Sequence, residues 1–312
     1  MPISERSRTD RHRWVENRPP APDFRLGGGP SPGLPGRPGA GLAIARADRL
    51  VARHTVRTSI AEYSLVVNGP AWWGRRGLGE AIRDAVAELR AIDLTYSPAR
   101  PESLVSRLRR GEISPDAYPP LADLVARCAA MRAATDGWFD AWAVPGGFDP
   151  GGLLKGWAVE RAAARLRAAG SEDYAVLSGG DLVVQGRAPH GGPWRVAVQQ
   201  PYAGPQHPNE GRYPINRSHP VGAQRTPLTL ELTSGAIGSS GVAGRHDHVV
   251  DPHTGLPARQ LVATTVAGPE LSVADGYATA LYAAGPAGLD WFPTAQGYRA
   301  LMAVPRQVGV QG

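Results

Sequence analysis

Residues 235–257 read GAIGSSGVAGRHDHVVDPHTGLP, and the assignment of the chain turns on them. The stretch joins a Gly/Ser-rich run, a short strand at His248, Val249 and Val250, and an Asp-Pro-His-Thr-Gly turn at 251–255. Glycine gives backbone freedom at an entropic cost. Ser and Asp compete for local backbone hydrogen bonds instead of packing. The composition therefore predicts loops flanking one strand that presents the His248 imidazole at the mouth of a cleft. A long hairpin with decorated turns satisfies the same letters.

Two other stretches bear on that choice. Asp149 to Arg161 reads DPGGLLKGWAVER, a Gly-rich loop over 149–156 followed by a helix from Trp157 to Ala169 that Gly170 stops. Loop-to-helix junctions of this kind bind anions, because free N–H groups and the positive helix end point at the ligand. Lys155 stands at the junction, although the spacing and hydroxyl of a Walker loop are absent. The chain has 34 basic residues, and Lys155 is the one lysine among them. A lone lysine points to a site that wants a compact ammonium on a flexible stem, not a planar fork. The second stretch, Ala274 to Ala280, reads ADGYATA inside a helix of small residues from Ser272 to Ala283. Asp275 and Thr279 are four apart and share one helix face. A carboxylate and a hydroxyl one turn apart suit a hard cation such as Mg²⁺; an Asp favouring the helix dipole beside a packed Thr is the alternative.

The remaining chain reads as a mixture of helices and strands. Residues 1–55 are rich in Arg, Pro and Gly, with GGGPSPGLPGRPGAG at 27–41, and are expected to be a flexible tail. Strands are expected at 62–68, 174–177, 182–185, 194–200, 228–232, 261–267 and 298–304. Helical spacing marks Leu78 to Ile92 and Pro120 to Thr135. Tyr96 falls in a loop, where its ring either packs or stacks near a planar ligand. Trp138, Phe139 and Asp140 put a carboxylate after two aromatics. Ser178, Gly179, Gly180 and Asp181 form a tight turn between two strands, an ordinary hairpin or a place where a ligand nears the backbone. Residues 201–227 are polar and Pro-rich, an insertion without pattern.

Composition narrows the function. Of 312 residues, 42% are hydrophobic, enough for a core, and no apolar run approaches the ~20 residues of a membrane span. The net charge of +6 resides in the first 57 residues, so the globular part offers no argument for a nucleic-acid partner. The single cysteine, Cys128, excludes an internal disulfide and any multi-cysteine metal site. No apolar export segment and no lipid-attachment cysteine stand at the start, so the expected location is cytoplasmic.

Together the three motifs, in this order and spacing, resemble the ApbE family, the FAD:protein FMN transferases. The resemblance runs from about Tyr63 to about Val304. It implies an α+β, two-lobed fold with mixed or antiparallel sheets and a flavin cleft between the lobes, spanning residues 56–308 with the 201–227 insertion. It further implies FAD as substrate, Mg²⁺ (or Mn²⁺) at its pyrophosphate, and transfer of FMN to a Thr or Ser hydroxyl of an acceptor protein with release of AMP. Asp275 and Thr279 match side-chain metal ligands, and Gly152 matches the position whose carbonyl completes them. Asp149, Lys155, Tyr96, Trp138, Phe139, Asp140 and the turn Ser178–Asp181 match FAD-contacting positions. His248 and Asp275 match catalytic ones, His248 beside the transferred phosphate. Two departures stand out: Val56-Arg57-Thr58 replaces the usual Met-Gly-Thr, and Ala278 stands where some members carry another metal-binding Asp. FAD hydrolysis to FMN and AMP, or FAD binding without turnover, are the rival readings.

Overall fold

Strands buried on both faces organise the chain. The computed structural model describes residues 25–27, 41–46, 49–198, 228–241 and 249–303. In chain order the strands are β1 (Arg25–Gly27), β2 (Gly41–Arg46), β3 (Arg49–Arg57), β4 (Glu62–Pro70), β5 (Tyr174–Ser178), β6 (Asp181–Gln185), β7 (Trp194–Val198), β8 (Leu228–Leu232), β9 (Ser234–Gly241), β10 (Ala263–Gly268) and β11 (Arg299–Ala303). Eight of them form one sheet in the order β11-β10-β9-β6-β5-β4-β3-β2, and β1-β8-β7 form a second. Every described pairing is antiparallel. The helices are α1 (Gly74–Tyr96), α2 (Leu104–Arg109), α3 (Pro119–Ala134), α4 (Gly151–Ala168) and α5 (Leu271–Ala284). The expected α+β class with antiparallel sheets is what the chain adopts.

Successive strand residues point to opposite faces, and the two faces carry two cores. Tyr174, Val176, Ala236 and Val266 join the helices in the larger core. Their neighbours Ala175, Ile237 and Ala267 meet Val198, Leu230 and Leu232 of the small sheet in the other. The result is three layers: helices, the eight-stranded sheet, the three-stranded sheet. Against the sheet, α4 lies over β5 and β6 while α5 lies over β9 and β10; α1 covers α4. Amphipathic spacing explains α1, whose buried face runs Leu78, Ala81, Ile82, Ala85, Val86, Leu89, Ile92. No helix among the described residues is long and apolar enough to cross a membrane.

Four expectations differ from the structure. The stretch expected as a tail contains β1, β2 and most of β3, and β2–β3 extend the main sheet at one edge. Leu50, Val51, Ala52 and Val56 supply the apolar positions of β3, with Val51, Ala52 and Val56 buried; the Pro/Gly composition of the surrounding window masks them. The Gly/Ser run expected as a loop is β9, a central strand. Residues 151–156, expected as loop, are the first turns of α4. Pro150 precedes the helix and its carbonyl accepts from the Leu153 and Leu154 N–H groups, while the Asp149 carboxylate accepts from Gly151 N–H at 2.9 Å, which satisfies an otherwise orphaned donor. Tyr96 belongs to the last turn of α1, not to a loop. The 201–227 insertion and residues 304–308 lie outside the described residues.

The identity of β9 has a steric cause. A Cβ at Gly238 would stand 2.5 Å from the backbone nitrogen of Asp275 and 2.6 Å from the carbonyl carbon of Ala274, so α5 rests directly on the strand backbone. Gly238→Ala is expected to destabilise the fold by about 2 to 3 kcal/mol, since the obstacle is main chain. Gly77, inside α1, faces Trp73 Cβ at an ordinary 3.4 Å; Gly77→Ala is expected to stabilise by up to about 1 kcal/mol. Denaturant melts of both variants check this, and equal effects at the two positions would refute the close-approach account.

Candidate active site

Helices α4 and α5 cross where α4 contributes glycines, so the side chains of α5 rest on the α4 backbone. A Cβ at Gly152 would lie 2.8 Å from Thr279 Oγ1, and one at Gly156 would lie 2.9 Å from the Leu271 carbonyl oxygen and 3.0 Å from Asp275 Cβ. One turn of α4 thus faces one turn of α5: Gly152 opposite Thr279, Gly156 opposite Asp275. The Thr279 hydroxyl donates to the Gly152 carbonyl at 3.4 Å. The Gly156 N–H donates to Asp275 Oδ2 at 3.0 Å. At the start of α5 the Leu271 N–H donates to the Glu160 carboxylate, which fixes the register of the crossing from the other end. The three positions assigned by resemblance to a metal (Gly152, Asp275 and Thr279) therefore come together, although more than 100 residues separate Gly152 from the other two.

Lys155 lies between two buried carboxyl groups. Its Nζ stands 2.6 Å from Asp181 Oδ2, and Asp181 Oδ1 accepts from the Ser239 N–H of β9 at 2.7 Å. Burial pushes the Asp181 carboxyl up, against the pull of Lys155. For Asp275, burial and then repulsion from Asp181 push it well above the ordinary carboxylate range. Burial disfavours the Lys155 ammonium, but Asp275 and Asp181 outweigh it and hold its pKa above the usual lysine value. Lys155 thus favours the charged form of Asp181, and Asp275, with Asp181 as a like-charged neighbour, bears the larger cost of burial.

Beside Lys155 a cleft of about 430 Å³ opens over the ends of β4 and β5, lined by Glu62, Ser64, Ser178 and Gly179 among others. Ser178 is buried and its hydroxyl donates to the Glu62 carbonyl at 3.1 Å. Gly179 turns the chain with φ of 60° and leaves open space on its outer side. A Cβ at Gly180 would stand 3.0 Å from Ser239 Cβ, so the turn lies flat on β9. Glu62 and Ser64 did not emerge from the sequence; their signal was the period-two alternation of β4, which puts both on one face.

The other expected residues divide. Trp138 is half-buried and its ring meets the His253 imidazole edge-on, centroids 4.4 Å apart. The Asp251 carboxylate accepts from His253 N–H at 2.8 Å and shapes that turn. His253, within the Asp-Pro-His-Thr-Gly motif, is a residue that the sequence did not single out; His248 lies outside the described residues. Asp149 caps α4 and faces Arg109 Nη1 at 3.9 Å. Three residues are engaged elsewhere. Phe139 is a buried core ring. Asp140 accepts from Arg132 Nε at 2.7 Å and from Trp142 N–H at 2.8 Å. Tyr96 is buried, its hydroxyl on the Pro120 carbonyl at 3.2 Å and its ring against Trp157. Among the described residues no group of three or more His, Cys, Asp or Glu side chains is placed to hold a metal. A cation at the crossing would rest on one carboxylate, one hydroxyl and one carbonyl.

The crossing and the ion pair lie within residues 144–302, which match the model of the ApbE family. The chain belongs to the ApbE family. Curated relatives named FAD:protein FMN transferase include one from Vibrio cholerae, 33% identical over 138 residues (43% of this chain, 37% of the relative). Another, from Klebsiella pneumoniae, is 30% identical over 164 residues (50% and 42%). The match thus spans about two fifths of the length of these relatives. Among solved structures, the flavin transferase ApbE of Vibrio cholerae superposes with a TM-score of 0.66 at 20% identity, over 83% of this chain and 95% of that one. The apo flavinyl transferase ApbE of Pseudomonas stutzeri gives 0.63 at 24% identity, over 83% and 92%. These likenesses establish the ApbE fold.

The α4–α5 contact predicts a compensating pair. Gly152→Ala is expected to cost about 1 to 3 kcal/mol, because the new methyl meets Thr279 Oγ1 and Cγ2. Adding Thr279→Ala removes both atoms and should recover about 1 kcal/mol or more relative to additivity. Denaturant melts of the four proteins form the cycle; strict additivity would show that the two residues do not touch.

Proposed function

We propose that this chain transfers FMN from FAD to a Thr or Ser hydroxyl of an acceptor protein, releasing AMP, with a divalent cation, Mg²⁺ or Mn²⁺, as cofactor. The observation that carries the reading is the convergence at the α4–α5 crossing. The Asp275 carboxylate, the Thr279 hydroxyl and the Gly152 carbonyl offer three hard oxygens from two helices. That donor set fits a small hard cation. The buried groups point the same way: two carboxyl groups face one ammonium, and burial and then repulsion from Asp181 push Asp275 up, a cost that a bound cation would relieve. When bound, the cation would neutralise charge building on the pyrophosphate.

The chain's own residues do the rest. Phosphoryl transfer depends on positioning and on neutralising charge. Lys155 presents an ammonium to the cleft beside the crossing, placed to meet an anionic phosphate oxygen. The backbone of the Ser178–Gly180 turn and the open side of Gly179 allow a ligand to approach the main chain. Trp138 and His253 form a half-exposed aromatic pair that suits a planar ring. Two roles rest on the family motif alone. Asp149 stands at a FAD-contacting position, and His248 is assigned the proton of the incoming hydroxyl, a task suited to imidazole near neutral pH. The curated relatives' name, FAD:protein FMN transferase, supports both substrate and acceptor class.

The test is one incubation of the protein with FAD, Mg²⁺ and an acceptor peptide carrying a flavinylation Thr or Ser, with and without EDTA. EDTA-sensitive AMP release together with an FMN-sized mass gain on the peptide is expected. AMP without mass gain would favour hydrolysis, and FAD retained without turnover would leave a binding protein. Asp275→Ala is expected to lower metal-dependent AMP release by more than about a hundredfold; full activity in that variant would remove the metal assignment.

A further inference from the structure

Asp181 and Lys155 each match a FAD-contacting position in a different family motif, but the structure gives them different access. Asp181 is 0% exposed, whereas the Lys155 side chain is 30% exposed and lines the cleft. Both Asp181 oxygens are engaged inward, one by the Ser239 N–H at 2.7 Å and one by Lys155 Nζ at 2.6 Å. Ser239 is held in turn, its hydroxyl donating to the Gly180 carbonyl at 3.2 Å. The carboxylate is thus anchored to β9 on one side and reaches the cleft through the ammonium alone.

We propose that Asp181 is a positioning residue that acts on the flavin nucleotide only through Lys155, holding the ammonium at the cleft wall to meet an anionic phosphate of the ligand. The assignment rests on the FAD reading above. Its physical basis is preorganisation. A lysine stem has four rotatable bonds, and ordering it on binding opposes affinity. An ammonium already fixed at 2.6 Å from a buried carboxylate has lost that freedom before the ligand arrives. A plain staple between α4 and β6 would be served as well by arginine, which the chain uses at every other basic position. The compact ammonium has a free side left for a ligand once Asp181 is satisfied.

The lone lysine makes the test direct. Protein grown with lysine ¹³C-labelled at Cε carries one labelled side chain. The Lys155 Cε–H signal is followed by NMR as FAD is added in EDTA, and FAD affinity is read in parallel from flavin fluorescence. In the wild type the signal is expected away from the free-lysine position and is expected to move with FAD. In Asp181→Asn it should collapse toward the free-lysine position while the methyl spectrum of the core stays dispersed, and FAD should bind roughly tenfold more weakly. In a Lys155→Met background, Asp181→Asn should change FAD affinity little. Equal loss from Asp181→Asn in both backgrounds would overturn the proposal. So would a wild-type lysine signal that FAD leaves unmoved, which needs no variant to fold. FAD binding with an unmoved signal defeats this assignment alone; no FAD binding by the wild type, in EDTA or with Mg²⁺ restored, defeats the flavin reading and this assignment with it.

Discussion

Gly152, Gly156 and Gly238 let α5 close onto the bare backbone of α4 and of β9, and the site exists because of that contact. Side chains on neighbouring helices ordinarily hold their axes 8–10 Å apart. At the α4–α5 crossing the missing Cβ atoms instead bring a main-chain N–H of one helix onto a carboxylate of the other. They bring a main-chain carbonyl of one helix onto a hydroxyl of the other. Gly238 does the same for α5 on the sheet, so Asp275 is pressed between α4 and β9. Closeness of this kind excludes water, and exclusion of water perturbs the carboxyl group.

The layered architecture supplies the rigidity that such a site requires. β5, β6, β9 and β10 are covered on one face by helices and on the other by the small sheet. The turn that carries Asp181 joins β5 to β6, and Ser239 sits in β9, the neighbour of β6. Lys155 comes from the helix above. Every anchor of the ion pair is therefore a regular element inside a packed core, not a loop. Groups fixed in this way do not need to reorganise when a charged ligand arrives, which is the condition for strong electrostatic action in a dry site.

The sequence showed which side chains would meet more readily than it showed the backbone that holds them. Lys155 was legible as the sole lysine in a glycine-rich stretch. Asp275 with Thr279 was legible from four-residue spacing. Both signals are local. The errors were of a different kind. β9 carries glycines because α5 lies on it, and nothing within 235–241 reveals a helix from residues 271–284. The start of α4 was hidden for the same reason: Gly151 and Gly152 look like loop until Thr279 is placed opposite. Tyr96 was offered a ligand because it is aromatic beside hydroxyls, yet Pro120 and Trp157 claim it. Glu62 and Ser64 reach the cleft only through the pairing of β4 with β5. Short-range patterns report which residue types are present; the close approaches that give them partners are long-range facts.

The distribution of cations bears out the same distinction. Arginines carry the other ion pairs, both at the surface, where Arg110 meets Glu112, and on buried carboxylates, where Arg100 meets Asp93. A guanidinium presents its donors in a plane and is satisfied by a carboxylate met edge-on. Beside α4 the cation has a second side to serve, because Lys155 also lines the cleft. There the cation must fit between Asp181 and the helix crossing and still show one side to the cleft. A tetrahedral ammonium can donate to a buried carboxylate and keep further N–H groups directed elsewhere. The single lysine thus stands with a buried carboxylate behind it and the cleft in front.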